Sequence, residues 1–302
     1  MEELQVAMNV LVIGRSGQLA TELARAGWPA RTRLTAIGSG QCDIADASDV
    51  ARVIDENAPD VVINAASYTA VDRAEAEPER AFAVNATGPS HLARAARRRG
   101  IPLVHVSTDY VFDGGGDRPW REDDEPHPLC IYGRSKLAGE RAVQSAGVAH
   151  LILRTSWLFA AHGHNFVRTM LRLGAERDTL GVVHDQIGCP TPAADLAGVI
   201  VDAAARLVAG RIGSGVYHYA GAPPVSWYAF AQAIFELAGD LLPRIPALRP
   251  IATADFAAAA ARPAYSVLDC GKIEREFGIS VPPWQRGLEV VLNELRTRRE
   301  AP

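Results

Sequence analysis

The stretch NVLVIGRSGQLATELARAG, residues 9–27, constrains this chain more than any other. A short apolar, β-branched run ends in a glycine, and QLATELARAG then continues with helical periodicity, so the stretch reads as strand, glycine turn, helix. Gly14 and Gly17 stand three apart, and Ala20 holds the place of a third glycine. Glycine permits the tight turn and lets backbone approach a pyrophosphate, which then sits on the exposed N–H groups of the helix start. A small third residue lets helix pack on strand. The contacts expected from this loop to a dinucleotide cofactor are Gly14, Arg15, Ser16, Gly17, Gln18 and Leu19.

The alternation continues beyond it. RLTAIG (33–38), DVVINAA (60–66) and IPLVHVST (101–108) read as strands, with ASDVARVIDENA and the longer PERAFAVNATGPSHLARAARRR as the helices between them. Apolar runs separated by helices predict an α/β doubly wound parallel sheet with right-handed crossovers and a ligand beyond the carboxyl ends of the strands. Polar residues fall at those ends. Asn64 to Tyr68, with Ala65, Ala66 and Ser67 between them, close the third strand; Ser107, Thr108 and Asp109 close the fourth. Both groups are placed to face a cofactor, and both also suit the capping of loop turns.

YGRSK, residues 132–136, precedes the helical LAGERAVQ. Residues four apart share a helix face, so the Tyr132 hydroxyl and the Lys136 ammonium can meet over one site. Free tyrosine titrates near pH 10 and transfers protons poorly near neutrality unless a cation stabilises its phenolate, which Lys136 can supply. On the motif alone, an exposed helix start with a snorkelling lysine is the reading to be preferred, because Y-x-x-x-K occurs often by chance.

Composition narrows the class. The chain has 302 residues, 48% hydrophobic and 22% charged, with a net charge of -4, which suits a globular protein and no nucleic-acid or anionic-membrane partner. Its one basic run, RAARRRG (94–100), closes a helix at the end where arginines favour the dipole, and Gly100 stops it. Cys42, Cys130, Cys189 and Cys270 form no C-x-x-C pair and suggest reduced thiols in a cytoplasmic protein. His162 and His164, two apart, match no zinc spacing and read as loop residues; no metal is expected. No run approaches the roughly 20 apolar residues of a membrane span.

With these pieces the sequence resembles the extended short-chain dehydrogenase/reductases and, within them, the dTDP-4-dehydrorhamnose reductases. The resemblance is carried by GRSGQLA, NAASYTAVDRAE, VNATGP, STDYVFDG, YGRSKLAGE, LRTSWLF, NFVRTML, DQIGCPT and GVYHYAG, in family order over roughly residues 8–300. It implies a catalytic set of Thr108, Tyr132 and Lys136. Tyr132 would donate a proton to the ketone oxygen, Lys136 would hold the nicotinamide ribose and depress the tyrosine pKa, and Thr108 would hydrogen-bond the same oxygen. Asp109 is implied as a sugar contact, Trp157 as the ring beside the deoxyhexose, and the segments DQIGCPT and NFVRTM, with Asn165, as the enclosure of the nucleotide part of a dTDP-sugar.

Two departures stand out. Ala20 replaces the third glycine, and AIGSGQCDI follows the second strand where many relatives carry an acidic residue for the adenosine ribose. Gly38 and Ser39 take its place, and Asp43 and Ile44 are expected near the adenine. Loss of the carboxylate removes repulsion against a 2′-phosphate, and Arg15 can add attraction, so NADPH is the expected cofactor with NADH possible. An exposed loop charge is the other reading of Arg15.

The expected organisation is a dinucleotide-binding domain from 1–153 and 185–222, and a smaller, discontinuous substrate domain from 154–184 and 223–302. PRIPALRPI reads as an extended loop between the amphipathic helices SWYAFAQAIFELAG and WQRGLEVVLNELRTRR. The chain fits a monomer or a homodimer. Two other functions stay open: a non-catalytic dinucleotide-binding regulatory subunit of the same fold, and an epimerase or dehydratase on another nucleotide sugar.

Overall fold

In the computed structural model, residues 8–300 are described. Five strands, β1 (Asn9–Ile13), β2 (Arg33–Ile37), β3 (Val61–Asn64), β4 (Leu103–Thr108) and β5 (His150–Thr155), join a sixth, Gly215–His218, in one sheet ordered β2-β1-β3-β4-β5-(Gly215–His218). Every pairing in it is parallel. From β1 the chain steps outward to β2 and then back across to β3, so the direction of winding reverses between β1 and β3. A crevice opens at such a point, beyond the carboxyl ends.

Strand period two decides what each face of β1 touches. Val10 and Val12 pack with Leu196, Ile200 and Leu23 on one face. Leu11 and Ile13 pack with Val50, Ile54 and Leu92 on the other. Because both faces are covered, the strand is apolar throughout rather than alternating. Leu11 is 0% exposed, and truncating such a residue to alanine costs about 2–5 kcal/mol.

The helices obey local signals. In α1 (Gln18–Arg25), Leu19, Ala20 and Leu23 face the sheet. In α2 (Ala47–Asn57), the Asp46 side chain caps the N–H groups of Ser48 and Asp49. The predicted long helix after β3 is three segments, Pro78–Phe82, a π turn over Ala83–Thr87 and Gly88–Arg99, stopped by Gly100 at φ +67°. The helix Ile131–Ser145 carries Tyr132 and Lys136.

A separate apolar cluster lies beyond the sheet, built from Phe159, Val167, Met170, Phe230, Ile234, Trp284 and Leu288. PRIPALRPI is more ordered than a loop: Ala247–Ile251 forms a parallel pair with Thr179–Val183. Ile273 and Phe277, late in the chain, return to the core of the sheet. No helix among the described residues is long and apolar enough to cross a membrane.

Candidate active site

Gly14 ends β1 at φ +108°, and a Cβ there would lie 3.0 Å from the Ala65 carbonyl carbon and the Ala66 nitrogen. Only glycine allows both that conformation and that approach of two strand ends. Gly17, at the N-cap of α1, is different. A Cβ there would meet nothing within 4 Å, and the helix start has no side-chain cap. The protein's own packing leaves that face clear, as close approach of a pyrophosphate to backbone N–H groups requires.

Two adjoining cavities share Ser16, Gly17, Ala65, Ala66 and Ser67 as walls. The first, about 620 Å³, is also lined by Gly14, Arg15, Gly38, Ser39, Asp43 and Ile44. The second, about 470 Å³, holds Gln18, Leu19, Thr108, Asp109, Tyr132, Lys136 and Trp157. Together they form a groove along the carboxyl edge of the sheet. Two expected residues point elsewhere. The Tyr68 hydroxyl donates to Glu77 Oε2 at 2.9 Å, and the side chain lines neither cavity. The Asn165 amide donates to Gln18 and to the carbonyls of Ala160 and His162, while its oxygen caps the next helix through Arg168 N.

The first cavity is open and lightly charged. Arg15 is exposed, its Cβ lies beside Gly38, and its guanidinium reaches Gln41 Oε1 at 3.5 Å. It has no carboxylate partner within ion-pair distance among the described residues. Arg80, which sequence reading did not single out, lines the same cavity.

The second cavity is lined by several polar side chains that are themselves buried. The helix bearing Tyr132 and Lys136 comes so close to the turn after β4 that a Cβ on Gly133 would sit 2.2 Å from the Tyr110 carbonyl oxygen. The glycine therefore sets the depth at which Tyr132 enters the site. Lys136 is 2% exposed and donates to the Val106 carbonyl at 2.6 Å. Burial lowers its pKa to about 8, opposed by Glu140. The Glu140 carboxylate is itself fixed, accepting from Ser107 and pairing with Arg154 at 2.7 Å, with both side chains almost wholly buried. Neither Glu140 nor Arg154 was singled out from sequence, although Glu140 stands one turn after Lys136 in YGRSKLAGE.

The expected depression of the Tyr132 pKa is not found: burial pushes the phenol up, and the Thr108 hydrogen bond only partly opposes it. The Lys136 ammonium is held at the Val106 carbonyl, and desolvation is the leading influence on the phenol. A phenol held protonated has a proton to give but is a weaker acid, so the charge developing on the acceptor must draw it. Asp109 is 1% exposed, accepts from Thr108 at 3.0 Å through Oδ1, and has its pKa raised to about 7 by burial.

Three further residues were not read as part of the site. Asn85, in the π turn, accepts from Ser67 Oγ and Tyr68 N and donates to Tyr68 O and Ser135 Oγ, which ties the shared wall of the cavities to the Tyr132 helix. Its signal was present in VNATGP. Trp227 stacks on Trp157 with centroids 3.4 Å apart and planes at 6°. Nothing local to Trp227 announces this. Trp157 itself has φ +46°, a conformation bulky residues rarely adopt. His164 also lines the second cavity, from the loop expected for it.

Residues 8–297 match the family model described as the RmlD substrate binding domain. The chain belongs to that family. It is 45% identical over 285 residues to a dTDP-4-dehydrorhamnose reductase of Aggregatibacter actinomycetemcomitans, covering 93% of this chain and 97% of that protein. To the reductase of the same name in Escherichia coli strain K12 it is 40% identical over 295 residues, covering 96% and 99%. A solved dTDP-4-dehydrorhamnose reductase from Bacillus anthracis, in complex with NADP, superimposes with a TM-score of 0.89 at 37% identity, covering 96% of this chain and all of that one. A UDP-glucose 4-epimerase from Thermus thermophilus shares the fold, with a TM-score of 0.75 at 21% identity.

Proposed function

We propose that this chain reduces the 4-keto group of dTDP-4-dehydro-L-rhamnose to give dTDP-L-rhamnose with NADPH. One observation carries the reading: in a family member this similar to named reductases, Thr108, Tyr132 and Lys136 line one cavity that runs on into the glycine-loop groove. NADPH bound along that groove supplies the hydride. The residues do the rest. Gly14, Ser16 and Gly17 leave room for the diphosphate, Ser39, Asp43 and Ile44 border the adenosine end, and Arg15 favours a 2′-phosphate. Lys136 is held in place by the Val106 carbonyl and orients the nicotinamide ribose. Tyr132, kept protonated by burial, donates to the ketone oxygen as negative charge develops on it. Thr108 and Asp109 border the reacting sugar, and the Trp157–Trp227 stack offers an apolar ring face to its methyl side. Asn165 acts through the loop that it organises around His162.

We assign the sheet and its two apolar layers to cofactor binding and the cluster around Phe230 and Trp284 to the substrate side, with residues 271–277 returning to the sheet. The four free cysteines support a reducing, cytoplasmic setting. No nucleic-acid partner is proposed, and size-exclusion chromatography with light scattering decides between monomer and homodimer.

The test is stoichiometric. Purified enzyme, NADPH and the keto sugar should give one mole of rhamnosyl nucleotide per mole of NADPH oxidised, followed at 340 nm and by NMR of the sugar. An epimerase or dehydratase would regenerate its cofactor, and a regulatory subunit would bind NADPH without turnover; either outcome sinks the reading.

A further inference from the structure

Tyr132, Thr108 and Asp109 line one cavity, and Thr108 is hydrogen-bonded to Asp109. The Thr108 hydroxyl also stands near enough to the phenol to favour its ionised form. It accepts from Tyr110 N at 3.2 Å and donates to Asp109 Oδ1 at 3.0 Å. A threonine hydroxyl has one proton and two lone pairs. With the proton committed to Asp109 and one lone pair to Tyr110, the remaining lone pair faces the phenol. In that polarity Thr108 cannot also donate to a ketone, and the Tyr132 proton is drawn toward Thr108 instead of the substrate.

The Asp109 end of this group is unusual. Asp109 is 1% exposed, and its Oδ2 is a buried oxygen with no donor in hydrogen-bonding geometry among the described residues, Ser266 favouring the ionised form from just outside that geometry. An ionised carboxylate with an unmatched oxygen is costly in such a place, whereas the neutral acid can donate a proton. Besides Thr108, the groups around it are Tyr110 on its own turn, Tyr132 on the Ile131–Ser145 helix, Cys189 and Ser266. None is a cation. Arg262 reaches this region only across Tyr110, while Lys136, in the same cavity, is held by the Val106 carbonyl.

We propose that protonated Asp109 sets the direction of a chain of hydrogen bonds, donating to Thr108 so that Thr108 donates to the Tyr132 oxygen and the Tyr132 proton is free for the ketone. The inference rests on the reading of Tyr132 as proton donor. When hydride reaches the carbonyl carbon, the phenolic O–H bond breaks and an O–H bond forms on the sugar. The phenolate takes the proton of Thr108, and Thr108 takes that of Asp109, which is left as a carboxylate. Water entering the cavity restores the acid before the next turnover. Asp109 is thus a positioning residue and a proton reserve that acts through Thr108.

The experiment is the pH dependence of kcat for NADPH oxidation with saturating keto sugar, on the enzyme and four variants. For the wild type, kcat should fall with rising pH above an apparent pKa near 7, approaching about tenfold per pH unit. Asp109→Asn should lower kcat by about tenfold or more and remove this descending limb. Thr108→Val should remove it as well, and Thr108→Ser, which keeps the hydroxyl, should restore it. An Asp109→Asn enzyme with wild-type kcat and an intact limb overturns the proposal. So does one whose only change is a higher KM for the sugar, which would make Asp109 a substrate contact alone. If Asp109→Asn does not fold, the Thr108 pair decides: a limb that survives Thr108→Val overturns the chain. Tyr132→Phe separates the two layers. Near-normal turnover removes the donor reading itself, whereas an inactive Tyr132→Phe beside an unaltered Asp109→Asn profile removes only the chain.

Discussion

Around Gly14, Gly38 and Ser39 the groove is made of backbone and exposed side chains, whereas around Thr108, Lys136 and Asp109 it is made of buried polar groups, with Tyr132 half-buried beside them. In the first region the one hydrogen bond of the Arg15 side chain among the described residues is to Gln41 at 3.5 Å. Water screens it, and a change there alters an interaction with one ligand and little else. In the second, Lys136, Glu140 and Arg154 are each 3% exposed or less. There the environment displaces ionisation, and removing one member strands another. The contrast teaches where function and stability can be separated: at the adenosine end they can, and at the reacting end they are coupled.

The sharpest way to break this comparison is Glu140→Ala, which leaves the buried Arg154 guanidinium without its carboxylate. Loss of one partner of such a pair costs about 3–5 kcal/mol, so a large fall in the denaturation midpoint is expected. A melt like that of the wild type would show that the reacting end is not held together as described. Tyr132→Phe comes next. It should lower kcat by at least about a hundredfold, as expected for loss of a general acid, with little change in cofactor affinity measured by fluorescence titration. Trp157→Ala should raise KM for the keto sugar several-fold and also cost about 1.5 kcal/mol of stability through the lost stack on Trp227. Unchanged KM with a loss of several kcal/mol would move Trp157 into the core of the C-terminal cluster. The smallest effect belongs to Arg15→Ala, which should raise KM for NADPH about tenfold or less, leave KM for NADH alone and leave the melt unchanged. Gly38→Asp, placing a carboxylate beside Arg15, should shift preference toward NADH; a preference unmoved by both variants would leave Arg80 as the cation that matters.

Particular residues show how far the sequence could be read. The strand, turn and helix at residues 9–25 were legible because period, glycine spacing and capping are local properties. YGRSK was legible in the same way as far as the helix goes, and Tyr132 and Lys136 line one cavity. PRIPALRPI was expected as a loop and is in part a strand, because its partner Thr179–Val183 lies far away in sequence and prolines weaken the pattern. Asn165 was drawn to the substrate by its motif, yet its amide is fully engaged in organising its own loop. Tyr68 likewise follows the shared wall of the cavities while its ring turns away to Glu77.

Local residues were enough for the alternation of strand and helix, the glycine turn after β1, the missing carboxylate at residues 38–39 and the placing of Tyr132 and Lys136 on one helix, since each depends on residues within a few positions of one another. Tertiary structure alone decided that Lys136 is held at the Val106 carbonyl, that burial raises the Tyr132 pKa, that Trp227 covers Trp157 and that Asp109 keeps one oxygen with no donor in hydrogen-bonding geometry among the described residues. These depend on desolvation and on contacts between distant segments. A residue's chemistry is written in its type, but the free energy of its charge is set by what surrounds it.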